Sequence, residues 1–200
     1  MVVVGLTGGI AMGKSEVLNG IRSIIEEARI FDADQCVSEL LTHEEICEKV
    51  SAEFGDSSLT NDGRIDRHYL REQAFDSADQ RAKLEGILHP EVQKEYSTAL
   101  NSAERDDVPF FIAEIPLLYE SSHNYKQDLT LVVASDHKTQ MERLLMRPRI
   151  SEGVARKMIE SQLPIERKIE LADHCIWNSG SIKQLQKQIY YFALWLKKKN

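Results

Sequence analysis

The spacing of apolar and polar positions divides the chain into the strands and helices of an α/β fold. Short, mostly apolar runs with the composition of buried parallel strands occur at residues 2–6, 109–115 and 129–134. Apolar residues at helical spacing predict helices over residues 14–29, 137–147 and 182–196. Two more strands are expected, one ending at residues 32–34 and one at residues 175–177. The pattern therefore predicts a sheet of five parallel strands alternating with helices.

Residues 36–107 interrupt this alternation. They are polar and mostly helical in pattern, and they contain no convincing parallel strand. We therefore predict that they form a helical insertion in a core made of the flanking segments. The predicted core consists of residues 1–35, 108–142 and 172–200.

Composition and charge exclude several classes of protein. Of the 200 residues, 42% are hydrophobic and 28% are charged, which is typical of a folded domain and argues against disorder. The formal net charge of −7 argues against a nucleic-acid-binding protein, because such proteins bind phosphates through an excess of positive charge. No apolar run approaches the length of a transmembrane helix, and the three cysteines lack the spacing of a disulfide framework or a zinc site. We expect a cytoplasmic protein that binds neither nucleic acid nor membranes.

The first candidate chemistry lies in a glycine-rich loop between the first predicted strand and the first predicted helix. The loop fits the pattern G-x-x-x-x-G-K-S/T, the P-loop, in the context that this motif requires. Its residues are Gly8, Gly9, Ile10, Ala11, Met12, Gly13, Lys14 and Ser15. In such a loop the backbone amides bind phosphate, Lys14 neutralises the β- and γ-phosphates, and Ser15 coordinates Mg²⁺. The loop therefore predicts a site for a nucleoside triphosphate.

Two carboxylates narrow the choice of phosphoryl acceptor. Asp32 and Asp34 lie where the second strand should end, in the crevice where α/β proteins bind their ligands. If Asp32 orients or deprotonates an attacking hydroxyl, the enzyme is a kinase of a hydroxyl group, since phosphoryl transfer depends on in-line positioning and charge neutralisation. The alternative is that one or both aspartates cap the helix that begins near Gln35.

Arginines mark residues 143–171 as a candidate lid. Arg143 and Arg147 are four residues apart and are expected on one helical face, and Arg149 follows just past a proline. Guanidinium groups at such a hinge suit a lid that closes on the transferring phosphate and excludes water. The alternative is that they are solvated surface arginines. Further candidates for the same segment are Gln162 and Lys168.

With these residues in place, the chain resembles the dephospho-CoA kinase family of P-loop kinases over residues 4–180. The resemblance rests on short motifs in a specific order. They are LTGGI-x-x-GKS at 6–15, DAD at 32–34, LRE-x-x-F at 70–75, LHP at 88–90, PLLYE at 116–120, Arg143 with Arg147, QLPIERK at 162–168 and AD-x-x-I-x-N-x-G at 172–180. The resemblance implies a three-layer P-loop kinase fold, a helical domain that binds the CoA-type acceptor, and an arginine lid at residues 143–171.

The resemblance also implies the reaction and the residues on its nucleotide side. ATP, with Mg²⁺, would phosphorylate the ribose 3′-hydroxyl of dephospho-CoA, which is the last step of coenzyme A biosynthesis. Asp32 would be the base, with Lys14 and Arg143 as further catalytic residues. The family resemblance also places Arg147 of the lid against ATP. Beside the adenine it places Asn178 and Gly180.

For the acceptor and the metal, the resemblance implies a further set of residues. The implied acceptor-binding residues are Thr7, Asp32, Asp34, Arg71, His89, Pro90 and Leu117. Glu114 would join Ser15 in holding Mg²⁺, through a water molecule. Without the resemblance, His89 and Pro90 would indicate the end of a helix.

The loop itself departs from the family, in which it usually reads GGIGSGKS or GGIGSGKT. Here Ala11 replaces a glycine and Met12 replaces a serine. If position 11 needs a positive φ, alanine costs on the order of 1 kcal/mol there.

Two other functions stay open at this stage. A kinase of the shikimate type would use the same loop and Asp32 on a smaller acceptor, although an insertion as large as residues 36–107 exceeds what a small acceptor needs. A nucleotide-binding regulator would bind ATP without transferring phosphate. We expect the protein to be a monomer or a weak homo-oligomer.

Overall fold

Strands and helices alternate in the first and last parts of the chain, and helices predominate between them. The computed structural model describes residues 1–121, 124–148 and 150–199, with only the backbone of residues 75 and 76. The strands are β1 (Val2–Gly8), β2 (Ala28–Asp32), β3 (Phe110–Glu114), β4 (Leu129–Ala134) and β5 (His174–Trp177). The helices are α1 (Lys14–Ile24), α2 (Ala33–Leu40), α3 (Glu44–Phe54), α4 (Arg67–Asp76), α5 (Ala78–Arg105), α6 (His137–Leu145), α7 (Glu152–Glu160), α8 (Ile165–Leu171) and α9 (Ile182–Lys197). A short 3₁₀ helix, Asp56–Ser58, lies between α3 and α4.

The strands form one parallel sheet in the order β2–β3–β1–β4–β5, with β1 at its centre. Helices α1 and α9 pack together and share an apolar cluster with the central strands. Members of this cluster that are at most 3% exposed include Val17, Ile21, Leu131, Ile189 and Leu196. Each such side chain contributes roughly 1.5–3 kcal/mol to stability by leaving water. The predicted three-layer α/β fold with five parallel strands is confirmed.

The register of the sheet brings particular residues together at the carboxyl ends of the strands. Leu6 of β1 pairs with Glu114 of β3, and Glu114 pairs in turn with Asp32 of β2. Residues paired in this way project from the same face of a parallel sheet. Gly8, the last residue of β1, pairs with Val133 of β4, the strand that flanks β1 on the side away from β3. The glycine loop and two carboxylates therefore start from the same edge of the sheet.

Two helices end earlier than the apolar pattern predicts. Helix α1 ends at Ile24, because Ala28 and the residues after it pair with β3 as a strand. Apolar positions 24, 25 and 28 satisfy a helical period, but pairing in the sheet overrides it. Helix α6 ends at Leu145, which leaves Arg147 in the following turn. The cause is Pro148, since proline disfavours helical backbone at the residue before it and has no N–H to donate.

The chain divides into two compact units. The sheet unit comprises Met1–Asp32 and the described residues from Leu100 onward, and the helical unit comprises Ala33–Ala99. The helical unit has its own apolar core, formed by Ile46, Val50, Ile65, Leu70 and Leu88. Helix α5 continues through Pro90, although His89 and Pro90 taken alone would indicate the end of a helix. The predicted boundaries and roles of an acceptor-binding insertion and a lid stay predictions.

The free cysteines and the helix lengths complete the description of the fold. Cys36, Cys47 and Cys175 are free, with Cys36 buried and Cys175 exposed. Within the described part of the chain, no helix combines the length and the apolar character needed to span a membrane.

Candidate active site

The P-loop connects β1 to α1 and depends on glycine at both of its ends. Gly8 has φ of +150°, and a β-carbon there would lie 2.2 Å from the carbonyl oxygen of Val133. Gly13, the residue before α1, has φ of +92°, and a β-carbon there would lie 2.2 Å from Nδ2 of Asn178. Neither position can accept a larger residue without moving backbone or a buried side chain. The close approach of the loop to β4 and to Asn178 explains both glycines.

Ala11 occupies the left-handed backbone region, with φ of +59°. Position 11 therefore has the positive φ considered in the sequence analysis, and alanine costs on the order of 1 kcal/mol here. The side chains of Ile10 and Ala11 pack against an apolar cluster of α6 and α7 that contains Leu144, Ala155 and Met158. This packing offsets part of the strain that a glycine would avoid.

Met12 replaces the small serine of the family and is 1% exposed. Its side chain lies beside Gly9, where a β-carbon would be 2.7 Å from the sulfur. Gly9 therefore makes room for Met12, and the methionine turns inward. The substitution leaves the outer surface of the loop unobstructed by this side chain.

Three side-chain amides hold the backbone of the P-loop. Gln162 Oε1 accepts the N–H of Ile10 at 2.8 Å, and Gln140 Nε2 donates to the carbonyl of Ile10 at 3.0 Å. Asn178 Nδ2 donates to the carbonyl of Met12 at 2.9 Å. Because these amides come from α6, from the segment before α8 and from the end of β5, the loop is anchored on several sides. We call Gln140, Gln162 and Asn178 the amide clamp.

The predicted phosphate-binding side chains of the loop, Lys14 and Ser15, lie in the first turn of α1. Lys14 is half-buried, and its Nζ is 3.4 Å from the carbonyl oxygens of both Gly8 and Gly9. Ser15 is exposed in the first turn of the helix. The unsatisfied amides and the dipole of a helix N-terminus favour an anion at this place. The arrangement suits the phosphates of a nucleotide.

Arg143 on α6 reaches the same loop. Its Nη2 donates to Asn178 Oδ1 at 3.4 Å, and its Nη1 is 3.9 Å from where a β-carbon of Gly13 would be. Nη1 is buried and has no hydrogen-bond acceptor among the described residues. An unsatisfied guanidinium donor beside a P-loop is suited to a phosphate oxygen. Arg147 is exposed beyond the end of α6, and Arg149 lies outside the described residues.

Two carboxylates stand beside the P-loop strand at the carboxyl edge. Glu114 is 4% exposed and Asp32 is half-buried, and they are register partners on adjacent strands. Asp34 is exposed in the first turn of α2, where a carboxylate also interacts favourably with the helix dipole. Oxygen donors such as Glu114 and the Ser15 hydroxyl are of the type that Mg²⁺ prefers, and the ion usually takes one or two carboxylates plus substrate phosphates. Among the described residues no group of three or more His, Cys, Asp or Glu side chains forms a metal cage.

The remaining predicted site residues are spread over both units. In the sheet unit, Thr7 is fully buried and donates its hydroxyl to the carbonyl of Pro116 at 3.2 Å, and Leu117 is half-buried nearby in the chain. Gly180 is exposed just before α9, where a β-carbon would be 2.4 Å from Gln184 Oε1. In the helical unit, the predicted acceptor residues are Arg71 on α4, which is exposed, and His89 and Pro90 on α5, of which His89 is half-buried.

Hydrogen bonds at the start of α6 tie it to the loop that follows β5. Asp136 caps the helix by accepting the amide of Thr139 at 2.8 Å, and its own amide donates to the Ser179 hydroxyl at 2.8 Å. The Ser179 hydroxyl and then the Thr139 amide hold the pKa of the Asp136 carboxyl well below its usual range. This link joins the segment that carries Arg143 to the one that carries Asn178.

Gln140 was not among the site residues predicted from the sequence, and Gln162 was predicted only as a member of the lid segment. The signal for Gln140 was available, because it is four residues before the buried Leu144 and so shares its helical face. Asn178 was predicted beside the adenine, and the structure shows that it contacts the P-loop and Arg143.

A five-stranded parallel sheet with a Lys-Ser P-loop after its central strand, and carboxylates at the ends of the next two strands on one side, defines a P-loop kinase. The family can be named more closely by comparison with known proteins. A sequence profile of the dephospho-CoA kinase family matches residues 2–184, and the chain belongs to that family.

Individual relatives agree with this assignment. The dephospho-CoA kinase of Fusobacterium nucleatum is 35% identical over 193 residues, which cover 96% of this chain and 97% of the relative. Among solved structures, dephospho-CoA kinase from Campylobacter jejuni is 25% identical with a TM-score of 0.72, covering 99% of this chain and 98% of the other. A Thermus thermophilus protein is 27% identical with a TM-score of 0.78, covering 98% and 97% of the two chains. The resemblance stated from the motifs is confirmed.

Proposed function

We propose that this kinase transfers the γ-phosphoryl group of ATP to the ribose 3′-hydroxyl of dephospho-CoA, giving CoA and ADP. The observation that carries the phosphoryl transfer is the row of Asp32 and Glu114 beside the P-loop strand. A hydroxyl bound at this edge meets both a carboxylate and the end of a bound triphosphate. Membership of the family supplies the identity of the acceptor.

On the nucleotide side, the P-loop amides, Lys14 and Arg143 bind the phosphates. They stabilise the charge that spreads over the transferring group, which is usually the largest contribution to such a reaction. Support for Arg143 comes from its buried Nη1 next to Gly13. Arg147 is proposed to join it when a lid of residues 143–171 closes. Asn178 and Gly180 complete the nucleotide site at the adenine.

Ser15 and Glu114 are proposed to hold Mg²⁺, with Glu114 acting through water. When bound, the ion neutralises phosphate charge and keeps the triphosphate in line with the acceptor. The burial of Glu114 at the carboxyl edge supports this role, since a buried carboxylate there has a use in balancing a cation.

Asp32 is proposed as the group that orients and deprotonates the attacking hydroxyl. The hydroxyl oxygen forms a bond to the γ-phosphorus while the bond to the β–γ bridging oxygen breaks and ADP leaves. The hydroxyl proton passes to an Asp32 carboxylate oxygen. This role requires hydrogen-bond reach in the complex with both substrates.

The acceptor is proposed to bind through the helical unit. Arg71 is an exposed cation on α4, which suits an acceptor that carries phosphate groups, and His89 and Pro90 lie on α5. Asp34, Thr7 and Leu117 complete the proposed acceptor set. The Thr7 hydroxyl already donates to Pro116, so its contribution would include shaping the chain after β3. We further propose a cytoplasmic enzyme that is a monomer or a weak homo-oligomer.

The test is ADP release from MgATP with and without dephospho-CoA, with shikimate as a control acceptor and the product identified by mass. Dephospho-CoA should stimulate ADP release and gain one phosphoryl group, and shikimate should do neither. Stimulation by shikimate would favour the smaller-acceptor kinase. ATP binding without transfer to any acceptor would favour the regulator. Chelation of Mg²⁺ should abolish turnover and be reversed by adding the ion back.

A further inference from the structure

Lys168 on α8 is completely buried, although α8 is short and most of its polar residues are exposed. Its ammonium group lies 2.7 Å from Glu120 Oε1 and 3.2 Å from the carbonyl oxygen of Pro116. A buried charge is costly unless it is paired and hydrogen-bonded, and both conditions are met here. The lysine is too deep to touch a substrate, so any functional role must act through its neighbours.

The contacts of this ion pair lead to the P-loop along two routes. Glu120 Oε1 also accepts the N–H of Leu163 at 2.9 Å, and the adjacent Gln162 accepts the N–H of Ile10 in the loop. On the other route, the Pro116 carbonyl that Lys168 contacts also accepts the Thr7 hydroxyl, one residue before the loop. One ammonium group therefore links α8, the segment after β3 and both the start and the middle of the P-loop.

Stability alone does not account for such a pair. Replacing a buried ion pair by apolar side chains of similar size is often neutral or stabilising, so a fold gains little by keeping one. What an apolar pair cannot supply is a donor for Pro116 and an acceptor for Leu163 in fixed positions. Those hydrogen bonds are the ones that end on the nucleotide-binding loop.

We propose that Lys168 and Glu120 are positioning residues, which hold Gln162 on the Ile10 amide and keep the P-loop in the conformation that binds nucleotide phosphates. The proposal deepens the proposed function and depends on the loop binding MgATP, whatever the acceptor. The proposal does not extend to the neighbouring charged residues. Arg167, the residue before Lys168, is exposed and pairs with Glu170 on the same helix.

The test compares four variants with the wild type: Lys168→Met with Glu120→Gln combined, Gln162→Ala, all three changes together, and Arg167→Met as the matched control. The combined change removes both charges, so no unpaired buried charge is left, and the acceptor for Leu163 is no longer fixed in place by Lys168. The measurements are MgATP affinity by calorimetry, exchange of the Ile10 amide by NMR, the melting temperature, and KM for both substrates.

Loss of the pair should weaken MgATP binding about tenfold, as expected for hydrogen bonds that involve charged groups, and should speed exchange of the Ile10 amide. The KM of the acceptor should change less than about twofold, because the network ends on the nucleotide loop. Gln162→Ala should weaken MgATP binding by a similar factor, and adding it to the other changes should cost little more, since coupled residues are not additive. Arg167→Met should match the wild type.

A lower melting temperature with unchanged MgATP affinity and unchanged Ile10 exchange would show that the pair is only structural and would overturn the proposal. Additive losses in the triple variant would overturn the link through Gln162. If the combined variant does not fold, Lys168→Arg, which keeps a buried cation beside Glu120 but moves its donor atoms, and Gln162→Ala give the same comparison. MgATP binding and amide exchange need no acceptor, so a failure to phosphorylate dephospho-CoA would overturn the proposed function and leave this test valid.

Discussion

The two units hold their candidate functional residues in different ways. In the sheet unit, two buried amides and one half-buried amide hold the P-loop backbone, and Arg143 is held by Asn178. In the helical unit, Arg71 and Pro90 are exposed, and the ion pairs are on the surface. Surface pairs of this kind contribute about 0–1 kcal/mol each. The proposed nucleotide-binding groups are thus fixed in advance, whereas the proposed acceptor groups Arg71 and Pro90 of the helical unit are surface side chains.

The difference predicts which kinetic parameter each set of residues controls. Groups fixed in advance act best on charge that develops in the transition state, so their loss should lower kcat or kcat/KM for ATP. An exposed cation that binds a remote part of the acceptor contributes equally to ground and transition states, so its loss should raise KM. The predictions that follow test this division.

The largest effect is expected from Lys14→Ala. It removes the charge proposed to face the β- and γ-phosphates, and kcat/KM for ATP should fall about 1000-fold. The melting temperature should change little, because Lys14 is half-buried and is not part of the apolar core. Steady-state kinetics with Lys183→Ala, an exposed lysine on α9, as the control would check this. Equal kcat/KM in both variants would rule out the phosphate role of the loop.

Asp32→Asn should lower kcat about 100-fold while both KM values stay within about threefold of the wild type. The amide keeps the size of the side chain but does not take the proton of the hydroxyl. Single-turnover kinetics with saturating substrates would separate the chemical step from product release. A near-normal kcat would assign Asp32 to helix capping or to a spectator position.

On the acceptor side, Arg71→Ala should raise the KM of dephospho-CoA about tenfold and leave kcat and the KM of ATP within about twofold. Arg64, exposed in the same unit and paired with Asp62, is the matched control. Arg64→Ala should affect neither KM. If Arg71→Ala instead raises the KM of ATP alone, Arg71 does not bind the acceptor. The proposed division of substrates between the two units would then be wrong.

The sequence was most informative where the determining interactions are local. The P-loop and strand β4 were identified from short runs because their composition alone specifies them, and β4 has its predicted bounds. The end of α1 was predicted too late, because pairing with β3 is decided by residues 82 positions away.

Parts of the site could not be predicted because they are assembled by long-range contacts. Gln162 and Ile10 are 152 residues apart in the chain, and Asn178 and Met12 are 166 apart. Lys168 left a weaker signal: it is three residues after Ile165 and one before Ile169, so a lysine stands on the apolar side of α8. A charged residue in that position indicates a buried partner, but the pattern does not identify Glu120.

A smaller effect tests how tightly the loop conformation is fixed. Ala11→Gly relieves strain on the order of 1 kcal/mol but loses a methyl group packed on α6 and α7, worth about 0.8 kcal/mol, so the melting temperature should hardly move. Ala11→Val should lower the melting temperature by several degrees, since a β-branched residue is strained at φ of +59°. Thermal unfolding of the two variants side by side checks this. If valine is tolerated as well as glycine, the loop is less rigid than the amide clamp suggests.

The smallest effect concerns the pH dependence of the link between α6 and the loop after β5. Ser179 and Thr139 lower the pKa of Asp136, so its stabilising contribution is present above the unfolded-state pKa near 3.9 and is lost as the pH falls below that value. Asp136→Asn still caps the helix but lacks the charge. Its melting temperature should be slightly below that of the wild type at pH 7, and the gap should narrow as the pH falls from 5 towards 2. A gap that stays constant with pH would mean that the carboxylate charge contributes nothing, and that the cap is held by hydrogen-bond geometry alone.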